Sequence, residues 1–94
     1  MNSFFDVASE KLEELTLMNR IQCRGTIRII CKEHGYDKPD KLKRKEMIAL
    51  LEMQLAKELE KRLVDDFNGV TEAVIEKVKA APEIDRAYDV FSRI

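Results

Sequence analysis

The 94-residue chain reads as an all-α protein, a small bundle of four or five helices with one long central helix. Three observations predict this. Apolar residues recur at steps of three and four along most of the chain, the period of one helix face. Only three Gly and two Pro interrupt those patterns. With 45% hydrophobic and 37% charged residues, the composition is that of a globular chain rather than a disordered one. This length supports a single domain over residues 1–94 with one modest core, too small for a cleft between domains.

Taken in order, Ser3 is placed to cap a first helix, with Asp6 three residues on as a short-acid form of the capping box. Phe5, Ala8, Leu12, Leu15 and Met18 make its apolar stripe, and Asp6, Glu10, Glu13 and Glu14 a solvated face. Asn19 and Gln22 interrupt the stripe, and Gly25 costs about 1 kcal/mol relative to Ala in a helix interior. A break or bend between residues 22 and 26 is therefore expected. A short second helix should start at Thr26, bury Ile27, Ile30 and Cys31, and end at Gly35. Pro39 expels Lys38 from the α region, so residues 36–40 should cross as an extended loop, with Asp40 capping the third helix.

That third helix is the expected central rod. Met47, Ile48, Leu51, Leu55, Leu59, Leu63 and Phe67 form its apolar side, Asn68-Gly69 its stop, and its length should be about 40 Å. Glu58, Glu60, Asp65 and Asp66 make its far end acidic, either as a solubilising face or as a neutraliser of the basic residues upstream. Ala73, Val74, Ile75 and Val78 predict another helix closed by Ala81-Pro82, and Ile84, Ala87, Tyr88 and Phe91 a last short one over residues 83–94.

Charge is unevenly distributed along this frame. Residues 20–45 hold nine Lys and Arg against three Asp and Glu, whereas residues 1–19 net minus three and residues 46–94 net minus four. Arg20, Arg24, Arg28 and Lys32 recur at intervals of four, which stacks them along one side of a helix. Like charges so placed oppose folding by roughly 0.2–0.5 kcal/mol per pair, on the order of 1 kcal/mol here unless an anionic partner offsets it. Lys41, Lys43, Arg44 and Lys45 come next, at the opening of the rod.

A short helix ending in Gly, a loop, and a second helix opening with clustered cations is the layout of helix–extended loop–helix nucleic-acid-binding motifs. The residues Lys32-Glu33-His34-Gly35-Tyr36, then Leu42, then Arg44-Lys45-Glu46-Met47-Ile48 with Leu50 and Leu51, resemble the N-terminal segment of the transcription terminator Rho and, more distantly, the SAP motif. The resemblance covers residues 26–51. It departs from the pattern at His34, where an apolar residue is usual, and at Tyr36, which replaces an aliphatic one. It implies that Lys43, Arg44 and Lys45 face phosphates, as helix N-terminal amides with adjacent cations make an anion site. Arg20, Arg24 and Arg28 join the candidate contacts on spacing alone, and Lys32, Tyr36, Lys38 and Lys41 complete the set. The rings of His34 and Tyr36 can stack on an unpaired base or serve as packing groups at a helix end.

Catalysis is not expected. His34 lacks a partner at a recognisable spacing, and the sequence holds no Gly-rich phosphate loop, serine elbow or metal-ligand cluster, so no catalytic residue, metal or cofactor is assigned. Cys23 and Cys31 fall among apolar neighbours without metal or redox spacing and read as small core groups. The acidic N-terminus and the lack of a long apolar run point to a cytoplasmic protein away from membranes. Two functions fit these features. The first is a regulatory DNA- or RNA-binding protein that grips the phosphate backbone. The alternative is a protein–protein adaptor whose basic stripe meets an acidic partner, or which forms a homodimer through the heptad-like Phe5, Ala8, Leu12, Leu15 set with Asn19 next in register.

Overall fold

The computed structural model describes residues 3–82, and among these there are helices and turns but no strand. The helices are α1 (Phe4–Leu15), α2 (Arg20–Glu33), α3 (Arg44–Leu50), α4 (Ala56–Lys61) and α5 (Phe67–Ala80). α3 and α4 are joined through Leu51–Leu55, a π-type segment. Backbone angles at Leu50, Leu51, Leu55 and Ala56 all lie close to φ −60°, ψ −42°. They form the central rod. α1 packs on both α2 and α5, and α5 packs along the rod, closing a small all-α bundle.

α1 starts as its sequence requires. Ser3 Oγ accepts the Asp6 N–H at 3.1 Å, and the Asp6 carboxylate accepts the Ser3 N–H at 3.0 Å. The helix stops at Leu15, where Thr16 turns extended (φ −132°) and its hydroxyl donates to the Leu12 carbonyl at 2.8 Å. α2 then begins at Arg20, not at Thr26, and runs through Gly25 unbroken. The expected break at residues 22–26 is absent for two reasons. Asn19 and Gln22 form a reciprocal capping box, at 2.8 and 2.9 Å. Burial of Cys23, Thr26, Ile27, Ile30 and Cys31 also outweighs the Gly penalty, since each large apolar side chain is worth about 1.5–3 kcal/mol.

α2 ends in a Schellman turn: Tyr36 N–H donates to Cys31 O at 2.9 Å and Gly35 N–H to Lys32 O at 3.0 Å, with Gly35 at φ +87°. Pro39 does hold Lys38 out of the α region, at φ −123°, ψ 84°. The connection is nevertheless not extended throughout, because Pro39–Lys41 coils into a 3₁₀ turn closed by Lys41 N–H to Lys38 O at 2.9 Å. Asp40 lies inside that turn, and the N-cap position of α3 falls to Lys43, whose side chain makes no capping bond.

The rod is shorter than its apolar pattern suggests. Residues 44–61 span about 27 Å at 1.5 Å per residue. Leu63 enters the left-handed region at φ +61°, and a second Schellman turn forms, Val64 N–H to Leu59 O and Leu63 N–H to Glu60 O, both 3.0 Å. Asp66, also left-handed at φ +52°, then caps α5 by accepting the Gly69 N–H at 3.3 Å. Phe67 therefore opens α5, and Asn68-Gly69 lies in its first turn rather than stopping the rod. α5 ends before Ala81 and Pro82, as expected. The helix expected over residues 83–94 lies outside the described residues.

Phe5, Ala8 and Leu12 of α1 and Leu51, Leu55 and Leu59 of the rod are buried together in the core with Ile27, Ile30, Val74 and Val78. Of the heptad-like set of α1, Phe5, Ala8 and Leu12 are consumed inside the bundle, Leu15 stays exposed, and Asn19, its next member, caps α2. Among the described residues no helix is long and apolar enough to cross a membrane.

Candidate nucleic-acid interface

The corner between α2 and α3 is fixed from three sides. The Schellman turn aims the chain out of α2, Tyr36 settles half-buried against the core, and Leu42 is buried just before the rod. The polar residues between these anchors are left outside. Lys38, Lys41, Lys43 and Lys45 are exposed, as is Lys32 on the last turn of α2, and none has an ion-pair partner among the described residues. Over residues 32–45 six Lys and Arg stand against three acids, Glu33, Asp37 and Asp40.

Arg44 sits within this cluster but turns inward. Its Nε donates to Val78 O at 3.3 Å, its Nη2 to Ala81 O, and the guanidinium lies 5.0 Å from the centre of the Phe4 ring. It thereby ties the start of the rod to the C-terminal carbonyls of α5, where a cation also complements the helix dipole. Glu46 occupies part of the anion site at the opening of α3, its carboxylate accepting the Lys43 N–H at 2.8 Å. Phosphates at this corner would accordingly meet lysine side chains more than backbone amides.

The α2 stripe is less uniform than its spacing. Arg24 donates to the Asp6 carboxylate at 2.7 Å and lies over the Phe5 ring at 4.6 Å, with Arg28 over the same ring at 5.4 Å. Each ring contact is worth about 0.5–1 kcal/mol, comparable to the repulsion along the stripe. The acid that neutralises the stripe is Asp6 of α1. The rod's Glu58 instead turns to Arg62 at 3.0 Å. Burial acts to raise the Asp6 carboxyl, but the Arg24 guanidinium and the Ser3 amide and hydroxyl outweigh it and hold it below the ordinary range. Arg20 is exposed at the far end of α2, about 18 Å from Lys32 along the axis. The α2–α3 corner thus carries Lys32, Lys38, Lys41, Lys43 and Lys45 exposed and turns Arg44 inward, while Arg20 and Arg24 lie further back along α2.

Cys23 and Cys31 are buried free thiols. Burial pushes Cys31 up to about 11, and burial likewise raises Cys23 against the opposing Thr16 hydrogen bond. Both are protonated at neutral pH and poor nucleophiles.

No family model, curated protein or solved structure matches the chain. Periodicity and spacing did not single out Leu17 and Ile21, which stand exposed with Leu63 at the opposite end of the bundle. Leu63 belonged to the expected core stripe. The Asn19-x-x-Gln22 spacing was the signal that would have ended α1 early and put Leu17 in a loop.

Proposed function

We propose that this chain binds the phosphate backbone of a nucleic acid through the corner between α2 and α3, with Lys32, Lys38, Lys41, Lys43 and Lys45 as the contacting cations and Arg28 at its edge. The carrying observation is that these five lysines are exposed and without ion-pair partners among the described residues, on a corner whose backbone is locked by the Schellman turn, the 3₁₀ turn and buried Leu42. Such a surface positions a backbone without reading bases. Tyr36, half-buried against the core, acts as an anchor of the corner rather than a stacking platform. Arg24 and Arg44 support the fold. The resemblance to the Rho N-terminal segment supports the same reading at Lys43 and Lys45 but not at Arg44, which turns inward, and a regulatory role on RNA or DNA would follow from it.

The test is a titration of a labelled duplex and a labelled single strand at low and at physiological salt. Neutralising any one of the five lysines should weaken binding alike on unrelated sequences and lower the slope of log K against log salt by about one. Absence of binding to either oligonucleotide at the lower salt would overturn the proposal and leave the lysines to an acidic protein partner.

A further inference from the structure

At the end of the bundle opposite the lysine corner, the α1–α2 connection meets the turn between α4 and α5. An open groove of about 590 Å³ lies between them, with Leu15, Leu17, Met18, Leu63 and Val64 as its apolar lining. Three side chains here are out of keeping with a solvated surface: Leu17 is fully exposed, Ile21 is 81% exposed and Leu63 is 88% exposed. Leu63 is also strained, since it takes the left-handed position of a Schellman turn, which Gly fills at the end of α2. A strained backbone that holds an apolar side chain in water marks a contact surface.

From this we infer that the groove end is a homodimer interface, in which Leu17 and Ile21 of one copy enter the groove of the second. The occupant is identified by what adjoins the apolar set. A two-fold interface requires each surface to carry both halves of every contact. Here Leu17 stands on the groove's own lining and Ile21 next to its lining residue Gln22, so projecting and receiving residues share one end. Arg20, exposed beside Ile21, and Asp65, exposed on the groove rim, carry opposite charges and have no ion-pair partner among the described residues. Across a two-fold axis each Arg20 meets the second copy's Asp65, so the pairing occurs twice. This face takes only Leu15 from the α1 heptad-like set, whose Phe5, Ala8 and Leu12 are buried, and it lies apart from the lysine corner, so a dimer would present two lysine corners at its outer ends.

Sedimentation equilibrium of the full chain should show a concentration-dependent rise from 10.9 kDa to double that mass. Leu63→Gly and Ile21→Ser should each weaken association roughly tenfold or more, as expected when an apolar anchor is removed from an interface centre. Arg20→Glu and Asp65→Lys should each weaken it, and the two together should restore it. All four positions are exposed, so circular dichroism of dilute protein should report an intact fold in every variant. A monomer at every concentration overturns the inference. So does a dimer indifferent to Leu63→Gly and Ile21→Ser, or a double charge swap that restores nothing.

Discussion

Two helices in this molecule end in the same hydrogen-bonding pattern with opposite consequences. At the end of α2 the left-handed position is Gly35, which takes it without steric cost and leaves nothing exposed but polar residues. At the end of the rod it is Leu63, which strains the backbone and places an apolar side chain in water. Both turns place their next residue, Tyr36 or Val64, half-buried against the core. The difference lies in what each turn presents: lysines at one end, an apolar groove at the other. Identical backbone physics can thus serve a surface built for solvation and one built for contact.

The largest expected effect breaks both ends at once. Leu51 is fully buried midway along the rod that connects them, and Leu51→Ala should cost about 2–5 kcal/mol, enough to unfold a domain this small under mild denaturant. An unchanged thermal melt would show that the rod does not hold the core together. A sharper contrast comes from exchanging the two turn residues. Gly35→Ala should destabilise by about 1 kcal/mol, since a Cβ strains the left-handed backbone. Leu63→Gly, measured on dilute protein, should stabilise by about 0.5–1 kcal/mol. Opposite signs in urea melts would establish the difference between the turns, and equal signs would remove it.

Acid should act near α1. Asp6 is held below its ordinary range in the fold, so its contribution is complete above pH of about 4 and is lost as pH falls through the lowered value. Thermal melts should therefore fall more steeply on acidification for the native chain than for Asp6→Asn, by about 1 kcal/mol for a partly exposed pair and cap. Parallel curves would assign acid sensitivity to other carboxylates. The smallest effect is at Gly25, where an added Cβ meets nothing within 4 Å. Gly25→Ala should stabilise α2 by about 0.5–1 kcal/mol, visible as a modest rise in melting temperature.

The same contrast between the turns shows what was legible in the sequence. The all-α class followed from periodicity, and the Ser3–Asp6 box and Gly35 terminator from local chemistry, because each is written within a few residues. The rod's end was not legible. Leu63 and Phe67 continue a helical stripe, and nothing local announces that Leu would occupy a left-handed turn. Long-range partners were hidden for a related reason. Arg24 reaches Asp6 from a different helix and Arg44 reaches the end of α5, pairings that depend on packing and not on spacing. Basic residues at helical intervals therefore overstated the available positive surface, of which the corner lysines, Arg20 and Arg28 remain exposed.

The most direct measurement of the central claim is an amide NMR titration of the full chain with a short labelled oligonucleotide at low salt, tracked residue by residue. The lysine-corner account predicts shifts concentrated over residues 32–45 that fade as salt rises, with residues 15–18 and 62–66 unmoved at a fixed protein concentration. Shifts centred on the groove end, or no shifts at any site, would contradict it.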